Sequence, residues 1–157
     1  MDRFDSAILD CLQRDGQLSY VEIGSLVGLS PSACHKRVKA MEEDGLISGY
    51  VAIVSEERAR LKTSVFVQVT LSSQKEEVLD AFESAIAGYP EIMECFLMAG
   101  LSDYLLRVLC RDGEDYERIH HGVLVRLPGV ERVVSHFAIR KVLRRTAVPL
   151  RLSSRHG

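Results

Sequence analysis

Apolar residues recur at two different periods along this chain, and the change of period divides it. Over residues 4–14, Ile8, Leu9 and Leu12 fall on one side of a helical wheel. That spacing predicts a first helix, with Asp5 as its N-cap and Asp15-Gly16 as its stop. In Ser19-Tyr20-Val21-Glu22 the hydroxyl can cap a backbone N–H three residues on, while the Glu22 carboxylate reaches back to the cap's own N–H. A second helix is therefore predicted from Tyr20, with Ile23, Leu26 and Val27 inward and Gly28 as its left-handed C-terminal residue. Ser30-Pro31 predicts a third helix to about Asp44, since a proline in the first helical position gives up no needed hydrogen bond. The shared core is expected to hold Ile8, Leu12, Ile23, Leu26, Val38 and Met41.

From Thr63 the period becomes two. Val65, Val67, Val69 and Leu71 alternate with Phe66, Gln68 and Thr70, which predicts a strand. Residues 75–87 then place Val78, Leu79, Phe82 and Ile86 at helical spacing, and Gly88-Tyr89-Pro90 ends the run. Strands follow over 92–99 and 104–110, around the loop 100–103. A helix over 114–127 carries Tyr116, Ile119 and Val123, and a last strand runs over 130–143. The order β-α-β-β-α-β predicts a ferredoxin-like domain, so the fold class is α+β. Between the halves, Leu46-Ile47 and the stretch 50–54 are β-prone and read either as a short wing or as an extended connector.

These elements divide the chain into a helix-turn-helix domain over 1–54, a charged hinge over 55–62, the ferredoxin-like domain over 63–145 and a mobile basic tail over 146–157. Two helices cover one face of a four-stranded sheet. Met93, Cys95 and Leu97 are expected on one side of the second strand, and Ile92, Phe96 and Met98 on the other. The uncovered face should therefore pack against a second subunit.

The third helix carries the candidate chemistry. Cys34, Val38 and Met41 cluster on its inner side, while Ser32, Lys36 and Lys39 lie opposite, with His35 on the flank. Glu43 sits at the far end and is expected to turn away from phosphate. A cationic face after a capped helix and a glycine turn is the pattern of a recognition helix, whose N-terminal residues meet base edges in a major groove. Ser30 and Pro31 would set the helix start, Ser32 and His35 lie near base edges, and Lys36 and Lys39 contact phosphates or bases.

Charge sharpens this reading. The net charge of −2 hides an uneven distribution: residues 1–55 carry 5 bases and 8 acids, residues 56–131 carry 8 and 14, and residues 132–157 carry 7 bases and no acid. Phosphate binding depends on where cations cluster, and the acids elsewhere restrict the docking orientation. An apolar content of 46% is enough for a packed core. No run of about 18 apolar residues and no charged-then-apolar leader is present, so the protein is expected to be soluble and cytoplasmic, with no membrane partner. Cys11, Cys34, Cys95 and Cys110 are far apart, without a Cys-x-x-Cys pair, and read as buried reduced thiols.

The stretch DRFDSAILDCLQRDGQLSYVEIGSLVGLSPSACHKRVKAMEEDGLISGY, then MAGLSDYLLRV, then LPGV, resembles the Lrp/AsnC (feast/famine) family of bacterial and archaeal transcription regulators over nearly the whole chain. The resemblance implies a winged helix-turn-helix, an extended hinge, and a C-terminal domain that oligomerises and binds amino acids. It implies a sequence-specific regulator of double-stranded DNA, built from homodimers often assembled into octamers, with a small amino-acid-like effector and no cofactor.

Carried onto this sequence, the effector site comprises the loop Gly100, Leu101, Ser102, Asp103 and Tyr104 and the strand positions His136, Phe137 and Ala138. Asp103 suits an α-ammonium, and backbone N–H groups around Gly100 suit an α-carboxylate. Asp103 equally reads as the cap of the turn before Tyr104, and His136 as a packed or surface residue.

A branch similar to this family comprises sirohaem decarboxylases, for which His120, His121, His136 and Arg107 would be the candidates. Against it, the helix-turn-helix is intact, and adjacent histidines on a helix point about 100° apart. The strands also lack the exposed aromatic pattern of an RNA-recognition module.

Overall fold

The computed structural model describes residues 1–150. It divides into two compact units, Met1–Ile53 with the segment from Val142 on, and Val54–Lys141.

In the first unit, α1 (Arg3–Arg14), α2 (Tyr20–Val27) and α3 (Pro31–Glu43) each begin at a side-chain cap. The cap of α1 is Asp2 rather than Asp5. Asp2 accepts from the N–H groups of Phe4 and Asp5, while the Asp5 carboxylate accepts from Asp2 N–H, a reciprocal box one turn earlier than expected. The Ser19–Glu22 box opens α2, and Gly28 closes it at φ 74°. Ile8, Leu9, Ile23, Cys34, Val38 and Met41 form the buried cluster, with Leu12 and Val27 partly buried against it. Leu26, expected in that core, is 67% exposed, because a two-turn helix covers a narrow stripe that Ile23 and Val27 fill.

No strand forms over residues 46–62 among the described residues. The extended-connector alternative describes this stretch, and the wing implied by the family resemblance is not formed among the described residues, where no strand of the chain pairs with it. Tyr50 is held instead by its hydroxyl, which donates to the Glu42 carboxylate at 3.0 Å. The tail expected to be mobile from residue 146 is engaged over its described part. The Gln13 amide accepts from Val148 N–H at 2.6 Å and donates to Val148 C=O at 3.3 Å, and Leu150 packs against the helical core. Residues 151–157 of the predicted basic tail lie outside the described residues.

The second unit contains β1 (Thr63–Leu71), α4 (Glu76–Ile86), β2 (Ile92–Leu97), β3 (Tyr104–Cys110), α5 (Gly113–Gly122), a 3-10 turn (Leu124–Arg126) and β4 (Val130–Phe137). Its antiparallel sheet has the order β2-β3-β1-β4, the ferredoxin-like arrangement. Val65, Val67, Val69, Leu106 and Val108 of the central strands are fully buried with Phe82 of α4 and Ile119 of α5. The stretch 55–62, expected as a hinge, lies within this unit and forms a compact turn, with Ala59 N–H donating to Ser55 C=O and Leu61 N–H to Glu56 C=O.

Three boundaries differ from expectation. A register shift between Ile92 and Glu94 resets the alternation of β2, so Ile92 and Cys95 both pack on the core while Met93, Phe96 and Leu97 are exposed. The last long helix breaks after Gly122 into the 3-10 turn. β4 stops at Phe137, paired with Val65, because β1 runs out of partners two residues further on; Ala138 N–H still donates to Ser64 C=O.

Candidate DNA-reading surface and effector site

The start of α3 is built by local chemistry. The Ser30 hydroxyl accepts from Ala33 N–H at 3.2 Å and lies 3.2 Å from the Ser32 hydroxyl, while Pro31 occupies the first turn. Pro31, Ser32, His35, Lys36 and Lys39 are all exposed, opposite the buried Cys34, Val38 and Met41. The His35 ring packs edge-on against Tyr20 of α2, with centroids 4.9 Å apart, which limits its rotamers at the surface. Lys39 lies 3.8 Å from Glu43 on the next turn. Glu43 therefore shares the cationic face rather than turning from it, since four residues on a helix return to the same side. Both groups are well exposed, so this pair is weak and yields readily to a phosphate.

Arg37 is the residue that sequence reasoning passed over. Its Nη1 donates to Asp2 at 2.8 Å and Asp5 at 2.7 Å, and its guanidinium lies over the Phe4 ring at 5.5 Å from the centroid. These carboxylates hold the guanidinium charge more firmly than usual, Asp5 and then Asp2 contributing most. Arg37 thus fastens α3 to the first turn of α1 and leaves Lys36 and Lys39 as the outward cations. Its partners Asp2 and Asp5 lie more than thirty positions away, where no local signal reaches.

The proposed effector residues are not gathered at one place in a single chain. Asp103 is buried, and its carboxylate accepts from Leu71 N–H and from the Gln74 side chain, both at 2.7 Å. Its backbone is also committed, as Asp103 N–H donates to Val69 C=O and its carbonyl accepts from Met98 N–H. Asp103 is thus the pin that closes the β2–β3 loop against the end of β1. Tyr104 is buried, packed on Phe82 at 4.6 Å, with its hydroxyl donating to Glu83 at 2.7 Å. Burial and that carboxylate hold its phenol in the neutral form. Gly100, at φ 144°, and the fully exposed Leu101 form the loop tip, with Ser102 partly buried.

On β4, His136 pairs across from Phe66 on the open face of the sheet, whereas Phe137 faces the helices, its ring edge-on to Tyr116 at 5.0 Å. Loop and strand end are also apart along the sheet: the loop joins β1 at Val69, and Phe137 pairs with Val65. Four residues of antiparallel strand separate them by roughly 14 Å.

The open face presents Phe66 and Phe96, exposed at 39% and 52%, beside Leu105 and Val134. The thiols of Cys95 and Cys110 are pushed up to about 11 by burial, so both stay protonated at neutral pH. Among the described residues no group of histidines, cysteines and carboxylates has the arrangement of a metal site, and no helix is long and apolar enough to cross a membrane.

A capped helix pair with an outward cationic face, coupled in one chain to a ferredoxin-like unit, defines a two-domain DNA-binding protein. Residues 1–42 match the AsnC-type helix-turn-helix domain, and residues 64–148 match the Lrp/AsnC ligand binding domain. The chain belongs to the Lrp/AsnC family of DNA-binding transcription regulators. It is 51% identical over 117 residues to an uncharacterized HTH-type transcriptional regulator of Sinorhizobium fredii, covering 74% of this chain and 92% of that one. It is 41% identical over 150 residues to the Bkd operon transcriptional regulator of Pseudomonas aeruginosa, covering 96% and 98%. Its structure is similar to that of a Neisseria meningitidis transcriptional regulator solved as an L-Met complex, with a TM-score of 0.90, 30% identity, and 95% and 96% of the two chains covered.

Proposed function

We propose that this regulator reads DNA as a homodimer through Ser30, Pro31, Ser32, His35, Lys36 and Lys39, and answers to an amino acid bound between copies. The observation that carries the reading is the separation of the effector residues. The loop Gly100–Ser102 and the strand end His136–Ala138 sit at opposite ends of the sheet. One chain does not close a ligand site from them, and a second copy supplies the missing half.

The open sheet face supports the same reading. Phe66 and Phe96 are apolar side chains on a face that neither α4 nor α5 covers. An isologous contact between two such faces removes both from water and sets two copies of α3 on one duplex, about one helical turn apart. Assembly of dimers into octamers is the further step the family resemblance suggests.

An apolar side chain is the expected kind of effector. Leu97, Met98 and Leu101, all exposed, surround the loop tip, and the similar Neisseria structure holds L-Met. Asp103 shapes the loop from beneath, and the turn amides around Gly100 receive the α-carboxylate.

The protein acts as a regulator and not as an enzyme. His120 and His121 lie on α5, which packs on one side of the sheet, while His136 and Arg107 face the open side. These groups do not converge on one tetrapyrrole. The test is a thermal-shift screen of amino acids combined with light scattering. Stabilisation by an apolar amino acid in a dimeric or larger species supports the reading, whereas a monomer unaffected by every amino acid overturns it.

A further inference from the structure

Arg107 stands on the open face of β3, paired across from Phe66 on one side and Glu94 on the other. Its side chain is only 16% exposed. The Nε donates to the Glu94 carboxylate, while Nη1 is buried with no hydrogen-bond acceptor among the described residues. The group that faces Nη1 is Glu56, 3.8 Å away and itself 18% exposed. That distance is an ion pair rather than a hydrogen bond. The same Glu56 carboxylate also accepts from the ammonium of Lys141.

The positions of these residues in the chain give the cluster its meaning. The chain passes into the second unit at Val54 and out of it after Lys141. Glu56 lies two residues inside the first passage, and Lys141 is the last residue before the second. One carboxylate therefore fastens both chain passages to a guanidinium on the central sheet. The turn that presents Glu56 is closed by two backbone bonds, Ala59 N–H to Ser55 C=O at 2.9 Å and Leu61 N–H to Glu56 C=O at 2.8 Å. Arg60 in the same turn is held at φ 61°, a left-handed conformation that a non-glycine residue adopts at some cost. Glu94 serves Nε, but the buried Nη1 has no hydrogen bond among the described residues and the Glu56 carboxylate is the charge that faces it, so the Arg107–Glu56 pair holds the turn on the sheet.

We propose that Glu56 is a hinge-locking residue: through Arg107 and Lys141 it pins both chain passages to the sheet of the second unit. The lock has an inner leg, Arg107–Glu56, shielded from solvent, and an outer leg to Lys141, which is 42% exposed. Salt weakens the outer leg first, because exposed charges are screened and sheltered ones much less.

Limited trypsin digestion of the full chain tests this, since Arg58, Arg60 and Lys62 mark the first passage and Arg140 and Arg144 the second. Cleavage is read site by site by mass spectrometry and normalised to the same variant in denaturant. Glu56→Gln is expected to speed cleavage at both passages about tenfold, the scale of a lost sheltered charge pair. Lys141→Met is expected to speed it at Arg140 and Arg144 alone, and to add nothing in the Glu56→Gln background. Glu56→Gln cleavage that is unchanged at either passage overturns the proposal, as does a Lys141→Met effect that is undiminished in the double variant. Neither DNA nor effector enters the experiment, so its outcome is separate from that of the amino-acid reading.

Discussion

Arg37 on α3 and Asp5 in the first turn of α1 are joined by a hydrogen bond of 2.7 Å, although they stand 32 positions apart. The bond sets the roll of the DNA-reading helix against the helix that supports it. Asp5 is 17% exposed at its side chain and Arg37 33%, so the pair is only partly screened. Arg37→Met is expected to destabilise the helix-turn-helix unit by about 1 kcal/mol. Asp5→Asn should cost a similar amount, and the double variant less than the sum. Chemical denaturation of the four proteins measures it.

Lys36 and Lys39 are predicted to act on DNA through charge. Replacing either by alanine is expected to lower affinity for all sequences and reduce the slope of log affinity against log salt by about one. Anisotropy titrations at several salt concentrations read both effects. Glu43→Gln is expected to move affinity the other way, because it removes the carboxylate 3.8 Å from Lys39.

Gly24 is buried within α2, and a Cβ there would stand 2.5 Å from the Leu29 carbonyl oxygen. That oxygen belongs to the backbone of the turn and cannot swing aside. Gly24→Ala is expected to destabilise the unit by about 1–3 kcal/mol despite alanine's better helix propensity. A lowered melting temperature with loss of DNA binding at 37 °C would show it.

Asp103 offers a test of pin against ligand. Asp103→Ala leaves Leu71 N–H buried without an acceptor and is expected to cost about 1–3 kcal/mol. Asp103→Asn keeps an acceptor and should recover most of that stability. Calorimetry of the effector with the Asn variant then decides the role: near-normal affinity identifies a pin, and a large loss identifies an α-ammonium contact.

Asp115 predicts an acid limb to stability. Its carboxylate accepts from Arg111 N–H at 3.0 Å and from the Arg111 and Arg118 guanidiniums, and these bonds depress its pKa to about 2. The unfolded chain binds the proton more readily, so the stabilisation is complete above about pH 4 and is lost as pH falls toward 2. Asp115→Asn is expected to lower the melting temperature at neutral pH and to flatten its decline through that window.

Much of the first unit was legible because its determinants are neighbours. Ser19 and Glu22, Gly28, and Ser30 with Pro31 each specify a helix end within four residues, and all three ends stand where the pattern puts them. In the second unit the alternation of β1 and the stripe of α5 were equally readable. The exceptions are instructive. The shift at Met93 reverses which side of β2 faces the core, and period-two reading has no means of locating an extra residue. The wing failed for a related reason: β-prone residues make a strand only beside a partner.

The sequence by itself determined the order of elements, the capped helix pair and the cations of its outer face, since these rest on interactions between residues a turn or less apart. Only the tertiary structure decided what Arg37, Asp103, Arg107 and Glu56 do. Each is a charged residue whose partner is distant in the chain, and burial makes such a partner compulsory. It also decided that the loop at Gly100 and the strand end at His136 stand at opposite ends of one sheet, a relation set by antiparallel register. Register depends on strand pairing across the whole unit, and no window of sequence contains it.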